Sequence, residues 1–210
     1  MTKPRQKSGA FEMAQRLRSA LGTPAPSALA VSRARVNKWF EQAAPVIRWG
    51  AMNSPLGTLF VAVGPKGLCA VDFGRRETDF LERLDPRARL EKNPTAVERV
   101  TEQLLEYFAR ERTQFDVPID LSVLTPFQRN VLDIACRIAP GRVWTYHRVA
   151  EEMGRPKASR PVGQALARNP VPIIIPCHRV IASDGSLGGY SGGSGLKAKR
   201  WLLELEGALS

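Results

Sequence analysis

Between Asn169 and Cys177 the chain reads NPVPIIIPC, an apolar run broken and closed by prolines. Pro170, Pro172 and Pro176 fix their own φ and offer no backbone donor. A helix cannot cross this stretch, and Asn169, standing before a proline, is driven out of the helical region. Val171 to Ile175 is then expected as a short buried strand that the neighbouring elements must cover. A thiol, an imidazole and a guanidinium follow at once, on Cys177, His178 and Arg179.

Upstream the pattern is helical and compact. Thr125 can cap a helix, with Pro126 at its first position and Gln128 closing a capping box. Phe127, Val131, Ile134, Ala135 and Ile138 give its buried face, and Pro140-Gly141 ends it. Thr145 can cap a second helix that Gly154 ends, and Ser159 a third, running to about Arg168. Two short helices joined at a glycine turn suggest a helix-turn-helix, although many helical hairpins bind no DNA. Asp184-Gly185 is a hairpin turn between Val180-Ile181 and Leu187, placed to serve as a wing. A last helix is expected from Leu196 to about Leu205, with Gly207 past its end.

The first half reads differently. Ile47 to Phe73 has the turns Ser54–Gly57 and Pro65-Lys66-Gly67 between β-patterned runs, with Leu59, Val61 and Val63 on one side. Arg75 to Lys92 is charged and reads as a helix and a loop. Thr95, with Glu98 three residues on, is expected to open a helix whose stripe is Val97, Val100, Leu104, Leu105 and Phe108. Phe115 to Ile119 is a further strand, at an edge because of Pro118. Residues 1–44 stand apart as a basic extension, with a linker at Gly22 to Ser27 and helical spacing from Phe11 to Leu21. A mobile arm is preferred there over a targeting peptide.

Three domains result: 1–44, 45–120 and 121–210. The net charge of +11 favours a polyanion as partner, though a basic protein without one has the same composition. Three widely spaced cysteines do not suggest a disulfide framework, so an intracellular, reducing setting is expected. Two histidines without a paired-cysteine motif argue against a structural zinc. No apolar run is long enough to span a bilayer.

A lone Cys-His pair is more simply a buried thiol beside a polar neighbour than a catalytic pair. The longer text changes that balance. NPVPIIIPCHRVIASDGSLGGYSGG, from Asn169 to Gly193, resembles the active-site segment of the O6-alkylguanine-DNA alkyltransferases, whose signature is PCHRV. The resemblance runs upstream through TPFQRNVLDIACRIAPGRVWTYHRVAEEMGRPKASRPVGQAL and downstream to WLLELEG. It is strong over Leu121 to Gly207 and looser over Ile47 to Ile119.

The resemblance implies an α+β chain: a small ribonuclease H-like domain of sheet and helix, then a winged helix-turn-helix-like domain holding the reactive cysteine. It implies Cys177 as alkyl acceptor, His178 as base through a water, and Glu206 completing the hydrogen-bonded chain. Asn169 would brace the turn, and Tyr146 would donate to the purine. Tyr190, Ser191, Val180 and Pro172 would line the base pocket. Arg160 would fill the gap left by a flipped base, with Ala158, Ser159, Gly163 and Gln164 facing the minor groove. Lys157, Arg168 and Lys199 are candidates for phosphate contacts. The implied partner is double-stranded DNA carrying O6-alkylguanine, met by a monomer without membrane, metal or cofactor. O4-alkylthymine is left open as a second substrate. The chain departs from the family pattern at Pro161, Gln164 and Ser194-Gly195. Rival readings are a non-catalytic damage-binding module, a helix-turn-helix transcription factor and a cysteine hydrolase.

Overall fold

A computed structural model describes residues 30–35, 44–74 and 76–209. The chain divides into Met1–Ala44 and Pro45–Ser210. In the first unit, residues 30–35 are helical and exposed; the expected helix near Phe11 and the linker after Gly22 lie outside the described residues.

The second unit opens on a sheet of four strands: β1 (Val46–Ser54), β2 (Gly57–Gly64), β3 (Gly67–Phe73) and β4 (Arg89–Lys92), in the order β3-β2-β1-β4. The first three form an antiparallel meander. Gly67 sits at φ +123°, and an added Cβ would meet the Pro118 carbonyl oxygen at 2.4 Å, so only glycine fits this turn. β4 pairs parallel to β1 where only a loop was expected. Its sequence, RLEK, has no apolar alternation, because a charged edge strand is held by backbone pairing and guards the sheet from further pairing.

Both faces of the sheet are covered. Leu59, Val61, Val71 and Phe73 face α2 (Pro94–Phe108) in one core. Ile47, Trp49, Phe60 and Ala62 pack with Phe80 and Leu84, the former on the short α1 (Glu77–Leu81), in another. The loose alternation along β2 is thus a strand buried on two sides.

Helix α2 begins one residue before the expected capping box. Asn93 is its cap, accepting from the Ala96 amide, with Pro94 preorganised at the first position. Its buried face includes Gln103 and Tyr107, whereas Leu105 is exposed. The strand expected at Phe115–Ile119 is reduced to one parallel bridge, Leu68 with Ile119.

The second half holds α3 (Pro126–Ala135), β5 (Trp144–Thr145), α4 (Tyr146–Glu152), α5 (Ser159–Leu166), β6 (Val180–Ile181) and α6 (Leu196–Leu205). The Thr125–Gln128 capping box forms in both directions, and Thr145 caps α4 by accepting from the Arg148 amide. Ser159 caps nothing. A 3-10 turn, Pro156–Ala158, runs straight into α5, so Ser159 is already helical. Pro161 falls in the first turn of α5, where its missing N–H leaves no bond unmade. The Asp184-Gly185 turn is closed by bonds between Ala182 and Ser186 and between Gly185 and Ala182. β6 nevertheless pairs parallel with β5 rather than with Leu187.

Val171 to Ile175 is buried, as expected, but is not a strand. Ile173 takes φ +76°, and the Ile175 amide donates back to the Val171 carbonyl. With prolines on both sides the run cannot complete a ladder, so it closes on itself. Its open groups fall to Asn169, which accepts from the Val171 amide and donates to the Ile175 carbonyl. One apolar core continues from Leu59 and Leu104 through Val131 and Ile134 to Ile173, Cys177 and Leu202. Burial does not stop near residue 120.

Candidate active site

Cys177, His178 and Arg179 form a single 3-10 turn, so consecutive side chains leave in three directions. Cys177 points to a pocket of about 620 Å³ lined also by Tyr146, Arg160, Gly163, Tyr190 and Ser191. That size suits one small ligand or base. The Asn169 amide nitrogen stands 3.1 Å from Sγ and donates to it. Asn169 therefore braces the closed turn and touches the thiol at once.

His178 points inward and is fully buried; its Nε2 lies 3.0 Å from Oε1 of Glu206. Glu206 is the residue that ends α6. Arg179 clamps it from the other side, Nε to Oε2 and Nη2 to Oε1 both at 2.8 Å, while Nη1 donates to the Ile138 carbonyl. Tyr107 adds a hydroxyl to Oε1 at 2.7 Å. Burial works against ionisation of this carboxyl, but bonds from His178 and Arg179 and their charges bring it down to about 2.

An ionised carboxylate only accepts. Nε2 of His178 must then carry the hydrogen, which leaves the lone pair on Nδ1. That atom is buried and has no hydrogen-bond partner among the described residues. Burial also pushes the imidazole below its ordinary range, against the pull of Glu206, so the ring is a neutral base near pH 7. Cys177 is shifted the other way. Burial raises the thiol, and the Asn169 donor and Lys199 charge only oppose this in part. Flanking nitrogen groups by themselves would lower a thiol; burial at the pocket floor outweighs them, and the resting group is S–H.

Two family models cover this architecture: the 6-O-methylguanine DNA methyltransferase ribonuclease-like domain over residues 47–121, and the DNA binding domain of the same family over 126–208. The methylated-DNA–protein-cysteine methyltransferase of Methanosarcina barkeri is 39% identical over 155 residues, 74% of this chain and 94% of that protein. The chain belongs to the 6-O-methylguanine DNA methyltransferase family. The methylated-DNA–protein-cysteine methyltransferase of Sulfolobus acidocaldarius is 41% identical, covering 77% of this chain and 94% of the relative. The crystal structure of the Mycobacterium tuberculosis protein in complex with DNA superposes with a TM-score of 0.66 at 38% identity, covering 77% and 93% of the two chains.

Within this methyltransferase fold the remaining residues sort into three groups. Tyr146, Ser159, Arg160, Gly163, Gln164, Tyr190 and Ser191 meet around the pocket with Cys177. Tyr146 donates to the Gly189 carbonyl at 3.3 Å, and a side chain at Gly188 would strike its ring. Arg160 and Gln164 are exposed one turn apart on α5. Pro172 and Val180 are buried and do not line the pocket; the Val180 carbonyl accepts from Lys199. Ala158 packs partly against the core. Lys157 and Arg168 are exposed, as a phosphate contact requires.

Lys199 is not available for phosphate. It is fully buried, and Nζ donates to the carbonyls of Val180, Leu187 and Gly189. Burial lowers it to about 8. It therefore ties the segment after the reactive turn to α6 and sets a cation near the thiol. Its position on the buried face of α6, beside Ala198 and Leu202, is the signal that an exposed role does not fit. Arg179 lay in plain view in PCHRV but had no assigned partner. Tyr107 carried one cue: a tyrosine on the buried face of a helix needs an acceptor.

Proposed function

We propose that this protein repairs double-stranded DNA by moving the alkyl group of O6-alkylguanine onto Sγ of its own Cys177. The observation that carries the reading is the hydrogen-bonded set behind the thiol. Glu206 fixes His178 with its free lone pair on Nδ1, and Asn169 holds Sγ on the floor of a base-sized pocket.

The Cys177 proton passes to His178 Nδ1, through one water where the atoms do not touch. The thiolate attacks the alkyl carbon from the side opposite oxygen. The S–C bond forms, the C–O bond breaks, and the electron pair returns to the guanine ring. Tyr146 at the pocket wall donates to the purine as that charge develops. No electrons enter or leave, so the step needs no redox partner. The product is a thioether, and each molecule acts once.

The base must leave the helix to reach the pocket. Arg160, exposed at the pocket edge, is suited to fill the gap, with Ser159, Gly163 and Gln164 on the surface that meets the minor groove. The protein acts as a monomer wherever DNA is held, and its charge of +11 supplies sequence-independent affinity. A transfer assay with O6-methylguanine DNA labelled on the methyl carbon tests this. Label fixed to protein, one per molecule, is expected; bound but unlabelled protein would mean damage recognition without chemistry.

A further inference from the structure

We propose that Tyr107, on the N-terminal sheet-and-helix domain, is a positioning residue for alkyl transfer: its hydroxyl holds Glu206 and so sets the proton affinity of His178. This rests on the alkyl-transfer reading above.

Tyr107 lies on the buried face of α2, 3% exposed, with its ring against Phe108 and Phe115 at centroid distances of 5.6 Å. Its hydroxyl passes into the second half of the chain and donates to Oε1 of Glu206 at 2.7 Å, across 99 residues of sequence. Burial first, and then the neighbouring carboxylate, keep this hydroxyl protonated well beyond neutral pH, so it is a permanent donor. Arg179 already binds both carboxylate oxygens, so the tyrosine is not required to neutralise the charge.

What Tyr107 adds is specific to one oxygen. Oε1 accepts from Tyr107, from Arg179 and from Nε2 of His178. Every other donor on that oxygen draws density away from the bond to the imidazole. A carboxylate relieved of one donor pulls harder on a proton shared with His178 and stabilises the imidazolium. The charged and titratable groups facing this pair are Arg179, Lys199, Cys177, Tyr107 and Tyr190. Among the described residues only Tyr107 brings a hydrogen bond to it from the first half of the chain.

The test is Tyr107→Phe in the full chain, read by nitrogen NMR of the two histidines. His147 is the internal reference, being exposed on α4 and paired with Glu151 rather than with Glu206. Loss of the hydroxyl should raise the His178 titration midpoint by about half a pH unit or more and leave His147 unmoved. The acid limb of the methyl-transfer pH profile should move up with it, with no loss of rate on the plateau and at unchanged DNA affinity. Phe108→Leu is the companion: it removes packing against Trp201 and the Tyr107 ring but leaves the Tyr107 hydroxyl and its partner Glu206 in place. It should lower the melting temperature and leave the His178 midpoint in place. If Tyr107→Phe behaves like Phe108→Leu, with a lower melting temperature and an unshifted His178, Tyr107 is a structural link and the proposal fails. A wild-type chain that transfers no methyl group would sink the repair reading, while the His178 titration would still decide the role of Tyr107.

Discussion

The two sides of Cys177 are built on opposite principles. Behind the thiol, His178, Arg179, Glu206 and Lys199 are buried, and almost every polar atom has a partner. In front of it, Arg160, Gln164 and Ser191 are exposed around an open pocket, and no side-chain hydrogen bond among the described residues fixes any of them. Pro161, Gln164 and Ser194-Gly195, read from the resemblance as departures from the family pattern, all fall in α5 or the loop before α6, none of them in the buried set. Reaction chemistry tolerates one arrangement of donors and acceptors, whereas a surface that meets a duplex can vary in shape and still bind through phosphates.

The contrast is broken most completely by Cys177→Ala. It should abolish transfer while damaged DNA still binds, measured by labelled-methyl transfer beside a binding titration. Glu206→Gln strikes the buried side next. Arg179 is left with a neutral partner and His178 loses its orienting charge, so transfer should fall on the order of a hundred-fold and stability by about 3 kcal/mol. The pH dependence has a definite sign. The Glu206 carboxyl is depressed to about 2 in the fold, from 4.5. Its contribution is therefore complete above 4.5 and is lost as pH falls from there through 2. Chemical denaturation at pH 7 and pH 3 should show Glu206→Gln closing most of its gap to wild type at the lower pH.

On the exposed side the effects should be smaller and should fall on DNA rather than on chemistry. Arg160→Ala should slow repair in duplex DNA roughly ten-fold or more through lost stabilisation of the flipped state. Reaction with the free base O6-benzylguanine should change little, and equal loss on both would place Arg160 in the chemistry instead. Removing residues 1–44 should weaken binding and flatten the dependence of log affinity on log salt. Gln164→Gly should give the smallest change, no more than a few-fold in duplex repair, because one exposed polar side chain contributes little.

Local signals were legible in the sequence and long-range ones were not. Thr125 with Gln128, Thr145, Gly154 and the Asp184-Gly185 turn each declare themselves within a few residues, because caps and turns are local chemistry. β4 was missed since its pairing partner lies some 40 residues earlier, roughly the span from Val46 to Arg89. Val171–Ile175 had strand composition, but the absent proline donors turned it into a closed loop served by Asn169. The Cys177-His178 pair and Glu206 were singled out through a specific motif and a terminal helix, and the structure brings His178 and Glu206 within hydrogen-bond distance. Lys199 was read as a candidate phosphate contact because lysine is usually exposed, and its burial with three carbonyl partners shows otherwise. Tyr107 is separated from Glu206 by 99 residues, a distance over which no spacing rule operates.

The most direct test of alkyl transfer to Cys177 is intact mass after mixing the protein with an oligonucleotide carrying O6-methylguanine, alongside Cys177→Ala. Expected is a gain of one methylene on the wild type alone, mapped to the peptide holding Cys177, with no second turnover when fresh DNA is added. An unchanged mass with damaged DNA still bound, or a methyl group found on Cys69 or Cys136, would contradict it.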